Sequence, residues 1–269
     1  DLAYQMILLG RAEICIAGGQ ESMSNCPFVL PDMRWGAKMG LPNGRVIDTM
    51  VYDGLWDAFY DRHMAIHGSE VADEFGFTRF DQDEWAYTSQ MNAARAIREG
   101  KLDDEIFPVE IRQKGKVSIL EKDEGPRPET TLEGLAKLPP IFNHKSAVTG
   151  QPGSITAGNA PGVNDGGDAC LLMSRAKADE LGLKPIFSII DYTEVSQPPK
   201  DIATVPGLAV KKILEQNDMT LDQMDIIEIN EAFAAVALVS CYRILQMSRE
   251  EVFKKVNVNG GAIAFGHPI

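Results

Sequence analysis

MDIIEINEAFAAVALVSCYRIL, residues 224–245, changes its hydrophobic pattern half-way along. Its first part, around Ile226, Ile227 and Ile229, is a short β-branched run that is typical of a buried strand. Asn230 follows, and beyond it apolar residues occupy nearly every face of a helix, which indicates a helix buried on all sides. A buried strand that leads directly into a buried helix predicts the α/β class.

Both flanks of this segment continue the same alternation. Residues 206–218 predict a helix, and Thr220 with Gln223 forms a plausible T-x-x-Q capping box in front of the strand. Downstream, residues 256–259 predict a further strand that ends at two glycines, and His267 then stands between a glycine and a proline. The order is therefore strand, asparagine, buried helix, strand, glycine pair and histidine.

The beginning of the chain predicts a second α/β portion. A helix is expected over 1–10 and a buried strand over 12–19, and strand and helix signals return over 162–183. The stretch between them is punctuated by prolines and holds an amphipathic helix with Thr78 and Asp81 as capping candidates. We predict that 1–25 and 163–184 form one α/β half, 26–162 an inserted loop domain, and 185–269 a second, incomplete half.

Composition limits the classes of partner and compartment. The chain has 269 residues, of which 44% are hydrophobic, and this is enough for sizeable cores. A formal net charge of −13 disfavours nucleic acid and anionic membranes as partners, and no apolar run reaches the roughly 18 residues of a membrane span. The four cysteines are far apart and form no C-x-x-C pair, which favours a reducing, cytoplasmic setting.

Few of the reactive residue types lie in a pattern that predicts chemistry. Cys15, Cys170 and Cys241 fall in predicted buried elements and are interpreted as small buried hydrophobes, whereas Cys26 is expected to be more exposed. His63 and His67 stand four residues apart, the spacing of zinc ligands on a helix, with a third ligand conceivable at Glu70. Without an H-E-x-x-H pattern this evidence is weak, and we predict no metal site.

Asn230 and His267 are the leading candidates for function, because each lies where a buried element gives way to a turn. An asparagine in front of a helix is equally well explained as an N-cap, and both interpretations stay open. For His267 a functional role is favoured, since the small residues before it leave room for a ligand. The glycines of GSITAGNAPGVNDGGDA (153–169) permit either close approach of a ligand or tight packing, but match neither common nucleotide-binding loop.

Five ordered stretches resemble the thiolase family, and together they extend over essentially the whole chain. They are AGGQESMSN (17–25), DGLWDAFYDRHM (53–64), TAGNAPGVNDGGDA (156–169), EINEAFAA (228–235) and NVNGGAIAFGHPI (257–269). The resemblance implies two similar α/β halves with mixed five-stranded sheets and an inserted loop domain. The family's V-C-G-S-G and C-x-G-G-G-x-G cysteine motifs are absent from this sequence, so we expect an interior piece of a thiolase, truncated at both ends.

The resemblance also implies an activity. Thiolases condense two acetyl-CoA molecules to acetoacetyl-CoA and CoA, or run the reverse thiolysis, through an acyl-cysteine intermediate and without a further cofactor. His267 matches the histidine that takes the proton of the nucleophilic cysteine, and Asn230 matches the asparagine that holds a water of the oxyanion hole. We expect acyl-CoA substrates, a homodimer or homotetramer, and no catalysis by this piece alone.

The same resemblance implies positions that contact coenzyme A. Arg127 falls where an arginine meets the nucleotide end, and the pantetheine tunnel is expected to be lined by Leu55, His63, Met64, Phe142, Ala157, Ala160 and Phe233. Pro161 and Gly134 stand where many members have serine, so two hydroxyl contacts are lost or replaced. Met64 shortens the acyl pocket and favours an acetoacetyl-CoA thiolase, the alternatives being a broad-chain 3-ketoacyl-CoA thiolase or a non-catalytic acyl-CoA-binding protein.

Overall fold

A computed structural model describes residues 1–36 and 45–268 of the chain. The α-helices of this described part are α1 (Leu2–Leu8), α2 (Met64–Glu74), α3 (Arg79–Arg98), α4 (Leu132–Ala136), α5 (Arg175–Glu180), α6 (Val205–Gln216), α7 (Ala234–Leu238), α8 (Arg249–Lys255) and α9 (Ala262–Phe265). Its strands are β1 (Ile14–Ser22), β2 (Phe28–Val29), β3 (Ile47–Asp48), β4 (Trp56–Asp57), β5 (Arg62–His63), β6 (Val109–Gln113), β7 (Lys116–Leu120) and β8 (Asp165–Met173). The mixture confirms the α/β class.

The longest strands, β1 and β8, pair as an antiparallel ribbon in which Ile14 lies opposite Met173. Both strands were expected from the sequence, but their predicted burial is wrong: Ile16 is 78% and Leu171 56% exposed. Cys170 is likewise exposed rather than buried. A ribbon of two strands becomes buried only when another layer packs on it, and among the described residues no layer covers these side chains.

The main hydrophobic core lies around α7. Every residue of α7 is buried, and the chain continues into a π-helical segment, Val239–Ile244, in which Cys241 is also fully buried. Helices α2 and α3 pack against α7, as does the short helical segment Pro199–Thr204. The prediction of a helix buried on all sides is therefore confirmed, although α7 begins at Ala234 rather than directly after Asn230.

The capping candidates Thr78 and Asp81 and the predicted capping box at Thr220 and Gln223 both form capping boxes. The Thr78 hydroxyl caps the Asp81 N–H at 3.2 Å, and the Asp81 carboxylate accepts from the Thr78 N–H at 2.7 Å, which fixes the start of α3. Thr220 and Gln223 form the same reciprocal arrangement on a single 3₁₀ turn. These motifs were predictable because all of their atoms lie within one turn of the chain.

Two of the predicted strands are reduced to one bridge. Ile227 and Val256 form an isolated parallel bridge, in which the Ile227 N–H donates to the Lys255 carbonyl at 2.8 Å. The β-branched run over 186–195 is not paired as a strand. Within the described ranges the sheets have two strands each, because a strand requires a hydrogen-bonded neighbour as well as a β-branched sequence.

None of the helices in the described part of the chain combines the length and the apolar character needed to cross a membrane.

Candidate active site

The segment that precedes Asn230 is fixed by an asparagine side chain. Asn257 Oδ1 accepts the Ile229 N–H at 2.8 Å, and Asn257 Nδ2 donates to the Ile229 carbonyl at 2.8 Å. Asn257 is buried and has a φ of +44°, a left-handed conformation that asparagine tolerates better than most residues. This pair of bonds sets the position at which the chain emerges with Asn230.

Asn230 and His267 lie side by side. Asn230 Nδ2 is 3.2 Å from His267 Nε2, so the amide donates and the imidazole nitrogen accepts. Asn230 is exposed and His267 half-buried. The N-cap interpretation of Asn230 is wrong, since α7 begins four residues later and Phe233 occupies its N-cap position. The asparagine side chain is thereby left to face the histidine.

The histidine is held through its own backbone by the glycine-rich stretch. Asn164 Oδ1 accepts the His267 N–H at 3.3 Å, and Pro268 packs on Gly166, where a Cβ would lie 2.9 Å from the proline ring. Gly266 has a φ of +110°, which excludes most side chains at that turn. The tight-packing interpretation of the glycine-rich stretch therefore holds for Gly166. Partial burial of the His267 ring lowers its pKa below the ordinary value of histidine.

A buried carboxylate lies directly after Asn230. Glu231 is fully buried and accepts four hydrogen bonds: from Trp85 Nε1 at 2.9 Å, Ser89 Oγ at 2.7 Å, Asn257 Nδ2 at 2.9 Å and the Ile263 N–H at 3.0 Å. We call Glu231 with these four donors the Glu231 cluster. It joins α3, the turn at Asn257 and α9, and Glu231 directly follows Asn230 in the chain.

Part of the predicted pantetheine wall is gathered in the main core. Ala160 and Phe233 belong to the hydrophobic cluster, and Met64 and Phe142 pack against it. The His63 ring lies against Phe142, with centroids 4.7 Å apart. These five residues come from four separate segments of the chain, which the fold brings together in one apolar group.

The remaining predicted contacts lie outside that cluster. Leu55 ends a π-helical turn and is half-buried, Ala157 is exposed, and Arg127 is exposed with its backbone N–H held by Gln90 Oε1 at 2.7 Å. An exposed guanidinium on this acidic chain is a local cation for an anionic group.

The His63 and His67 rings have separate partners. His63 is the N-cap of α2 and its Nδ1 accepts the Ala65 N–H at 3.1 Å. His67 is buried, with Nε2 2.7 Å from Asp57 Oδ2. Over the described ranges no group of three histidine, cysteine or acidic side chains is arranged to hold a metal ion.

Cys241 and Cys26 lack the lowered thiol pKa of an activated nucleophile. Burial raises the pKa of the Cys241 thiol to about 12. The pKa of Cys26 is raised too, first by desolvation and then by the carboxylates of Glu21, Asp48 and Asp165. A thiol with a raised pKa is a poor nucleophile at neutral pH.

Sequence reasoning missed the supporting residues. The quoted N-E-A-F stretch contains Glu231, yet only its asparagine and phenylalanine were singled out, and neither Asn257 nor the side chain of Asn164 was assigned a role. A signal was present: Glu231 is a lone charge at the start of a run that is otherwise apolar, and such a charge must find partners if it is buried.

Two family models match the chain, the thiolase N-terminal domain over residues 1–176 and the thiolase C-terminal domain over residues 183–269. The chain belongs to the thiolase family. The acetyl-CoA acetyltransferase of Syntrophomonas wolfei is 44% identical over 269 residues, which are all of this chain and 65% of that protein. This thiolase chain therefore spans about two thirds of the length of such relatives.

Solved structures confirm the thiolase fold. The Bacillus anthracis acetyl-CoA acetyltransferase matches with a TM-score of 0.89 and 40% identity, covering 100% of this chain and 64% of that one. Human mitochondrial 3-ketoacyl-CoA thiolase matches with a TM-score of 0.87 and 34% identity, covering 98% of this chain and 63% of that one.

Proposed function

We propose that this chain supplies the histidine and asparagine of a thiolase site, and that the whole protein catalyses the condensation of two acetyl-CoA molecules or the reverse thiolysis of acetoacetyl-CoA. The observation that carries the proposal is the 3.2 Å contact between Asn230 Nδ2 and His267 Nε2. These residues are 37 positions apart and come from the two stretches most characteristic of the family.

The role of His267 is proton acceptor for a cysteine thiol. Because partial burial lowers its pKa, the imidazole is neutral at neutral pH. Its Nε2 lone pair accepts the Asn230 amide in this structure and must be released from that bond to take the thiol proton. After taking the proton from the thiol, the imidazolium would donate to the thioester oxygen. The cysteine belongs to the family's own motifs, which this sequence lacks.

The role of Asn230 is to position a hydrogen-bond donor for the oxyanion. Its amide is exposed on the side of His267 and carries two N–H groups, so it can bond the histidine and a water together. One such donor contributes on the order of 10²–10³ in rate.

The acyl-CoA chain would lie against the surface formed by His63, Met64, Phe142, Ala160 and Phe233, with Leu55 and Ala157 beside it and Arg127 near the nucleotide end. The division into halves at 1–25, 26–162, 163–184 and 185–269 is part of the same proposal, supported by the return of the chain from β1 to its neighbour β8.

Asn230→Ala tests the function in the full-length protein. We expect the kcat of acetoacetyl-CoA thiolysis to fall on the order of 10²-fold. Asn217→Ala is the matched control, because Asn217 bonds Asp191 and the Ile213 carbonyl at the end of α6. No thiolysis by the wild-type protein, or equal rates in the two variants, would refute the proposal.

A broad-chain 3-ketoacyl-CoA thiolase is the second candidate, supported by the 34% identity to the human mitochondrial enzyme. The half-buried Met64 beside the core favours the short-chain enzyme. We expect kcat/KM to be higher for acetoacetyl-CoA than for a long-chain ketoacyl-CoA, and the reverse order would favour the second candidate.

We further propose a cytoplasmic homodimer or homotetramer that acts in fatty acid metabolism. All four cysteines are free thiols, which supports a reducing compartment. Light scattering of the full-length protein tests the oligomeric state, and a monomer would contradict the proposal. Cell fractionation tests the compartment, and an exported protein would contradict it.

A further inference from the structure

We propose that Glu231 is a positioning residue: its buried negative charge fixes the distance between Asn230 and His267. The inference rests on the proposed thiolase function for its kinetic consequence. It also makes a purely structural claim about these two side chains.

The Glu231 cluster satisfies the carboxylate completely. Each carboxylate oxygen accepts two hydrogen bonds, Oε1 from Trp85 and Asn257, and Oε2 from Ser89 and Ile263. No ion pair formed within the described residues includes Glu231. Neutral donors alone therefore compensate the charge, and they do so only in this arrangement.

The donors require the ionised form. The indole, the side-chain amide and the backbone N–H can only donate, and the Ser89 hydroxyl accepts the Gly261 N–H at 3.0 Å, so its proton points to Glu231. A protonated carboxyl would place its own hydrogen against one of these four donors. Burial raises the pKa of Glu231 and the four bonds oppose that rise.

The carboxylate connects both members of the pair. Asn230 is its neighbour in the chain, and the Ile263 N–H that it accepts belongs to α9, whose last turn leads through Gly266 to His267. Gly261 lies directly against the Glu231 carboxylate, and a Cβ at that position would overlap it. The glycine of the G-G-A-I-A stretch and the glutamate of N-E-A-F therefore fit each other directly.

Displacement of the charge would move α9 relative to Asn230. A neutral side chain of the same shape, as in Glu231→Gln, presents an N–H₂ group to two of the donors, which must then turn away. Within the described part of the chain, His267 bonds Asn230 through its ring and Asn164 through its backbone N–H, so no second side-chain bond holds the Asn230–His267 contact.

The test compares Glu231→Gln with the wild type in the full-length protein, by thiolysis kinetics and by crystal structures. We expect kcat to fall about 100-fold, the KM for acetoacetyl-CoA to change less than about threefold, and the Asn230 Nδ2 to His267 Nε2 distance to grow by about 1 Å. Trp85→Phe removes one donor and should lower kcat in the same direction by a smaller factor. If Glu231→Gln does not fold, the kcat and the Asn230–His267 distance are measured in Trp85→Phe instead.

Ser240→Ala is the matched control. Ser240 is buried, donates to the Ala203 carbonyl at 2.9 Å and accepts the Gly207 N–H at 3.1 Å, so its loss should reduce stability and leave kcat and the distance unchanged. An unchanged distance in Glu231→Gln overturns the inference, whether or not kcat falls. If the wild type performs no thiolysis, the proposed function fails, and the distance alone decides the role of Glu231.

Discussion

The Glu231 cluster and the β1–β8 ribbon have opposite environments. Around Glu231, apolar helix and polar side chains are fully buried, and each carboxylate oxygen has two donors. In the ribbon, β-branched and leucine side chains such as Ile16 and Leu171 face outward, although every residue of β1 lies opposite a residue of β8.

This difference shows that a hydrophobic pattern fixes the type of an element more strongly than its burial. One hydrogen-bonded neighbour is enough to form a strand, whereas the faces of the strand are buried only by a second layer. The Glu231 cluster has that second layer because α3 and α9 both pack on it. Three comparisons between residues of the core around the Glu231 cluster and matched residues of the ribbon can confirm or refute this contrast in the 269-residue chain.

Thiol labelling should show the largest difference. Cys241 is fully buried with a pKa raised to about 12, so near pH 8 its thiolate fraction is on the order of 10³-fold below that of an ordinary thiol. Cys170 is exposed in the ribbon. We expect an aromatic disulfide reagent to modify Cys170 promptly and Cys241 only after unfolding, as read by mass spectrometry of peptides. Equal rates would show that the two regions do not differ.

A matched isoleucine substitution should give the next largest effect. Ile229→Thr, at a site 4% exposed, loses apolar burial and places a hydroxyl in the core, which we expect to cost about 2–4 kcal/mol. Ile16→Thr, at a site 78% exposed, should change the free energy of unfolding by less than about 0.5 kcal/mol. Urea unfolding measures the free energy of unfolding of both variants. A larger loss of stability in Ile16→Thr than in Ile229→Thr would contradict the exposed position of Ile16.

A matched glycine substitution should have a smaller effect. Gly261→Ala forces a methyl group into the Glu231 carboxylate and should cost about 1–3 kcal/mol through overpacking. At Gly19 of β1 a Cβ meets nothing within 4 Å, so Gly19→Ala should cost nothing measurable. The two melting temperatures give the comparison, and a stable Gly261→Ala variant would mean that the close approach is not required.

The sequence alone could predict whatever depends on a few neighbouring residues. The capping boxes at Thr78 and Thr220 and the buried character of α7 were predictable because their signals lie within one element. The pairing of Asn230 with His267 required the family resemblance, since no local pattern relates residues so far apart.

Other features depend on distant contacts and could not be predicted this way. The outward faces of β1 and β8 depend on which layers pack there, and the unpaired run over 186–195 depends on the absence of a neighbouring strand among the described residues. Glu231 has the same limitation: its charge is visible in the sequence, but its four donors come from three distant segments.

The central claim is that the imidazole of His267 is the base of a thiolase site. It is tested most directly by the steady-state rate of acetoacetyl-CoA thiolysis in the full-length protein, wild type against His267→Ala. Our account predicts a loss of several hundredfold or more in kcat/KM, with the circular dichroism spectrum unchanged. A folded variant that turns over at the wild-type rate would contradict it.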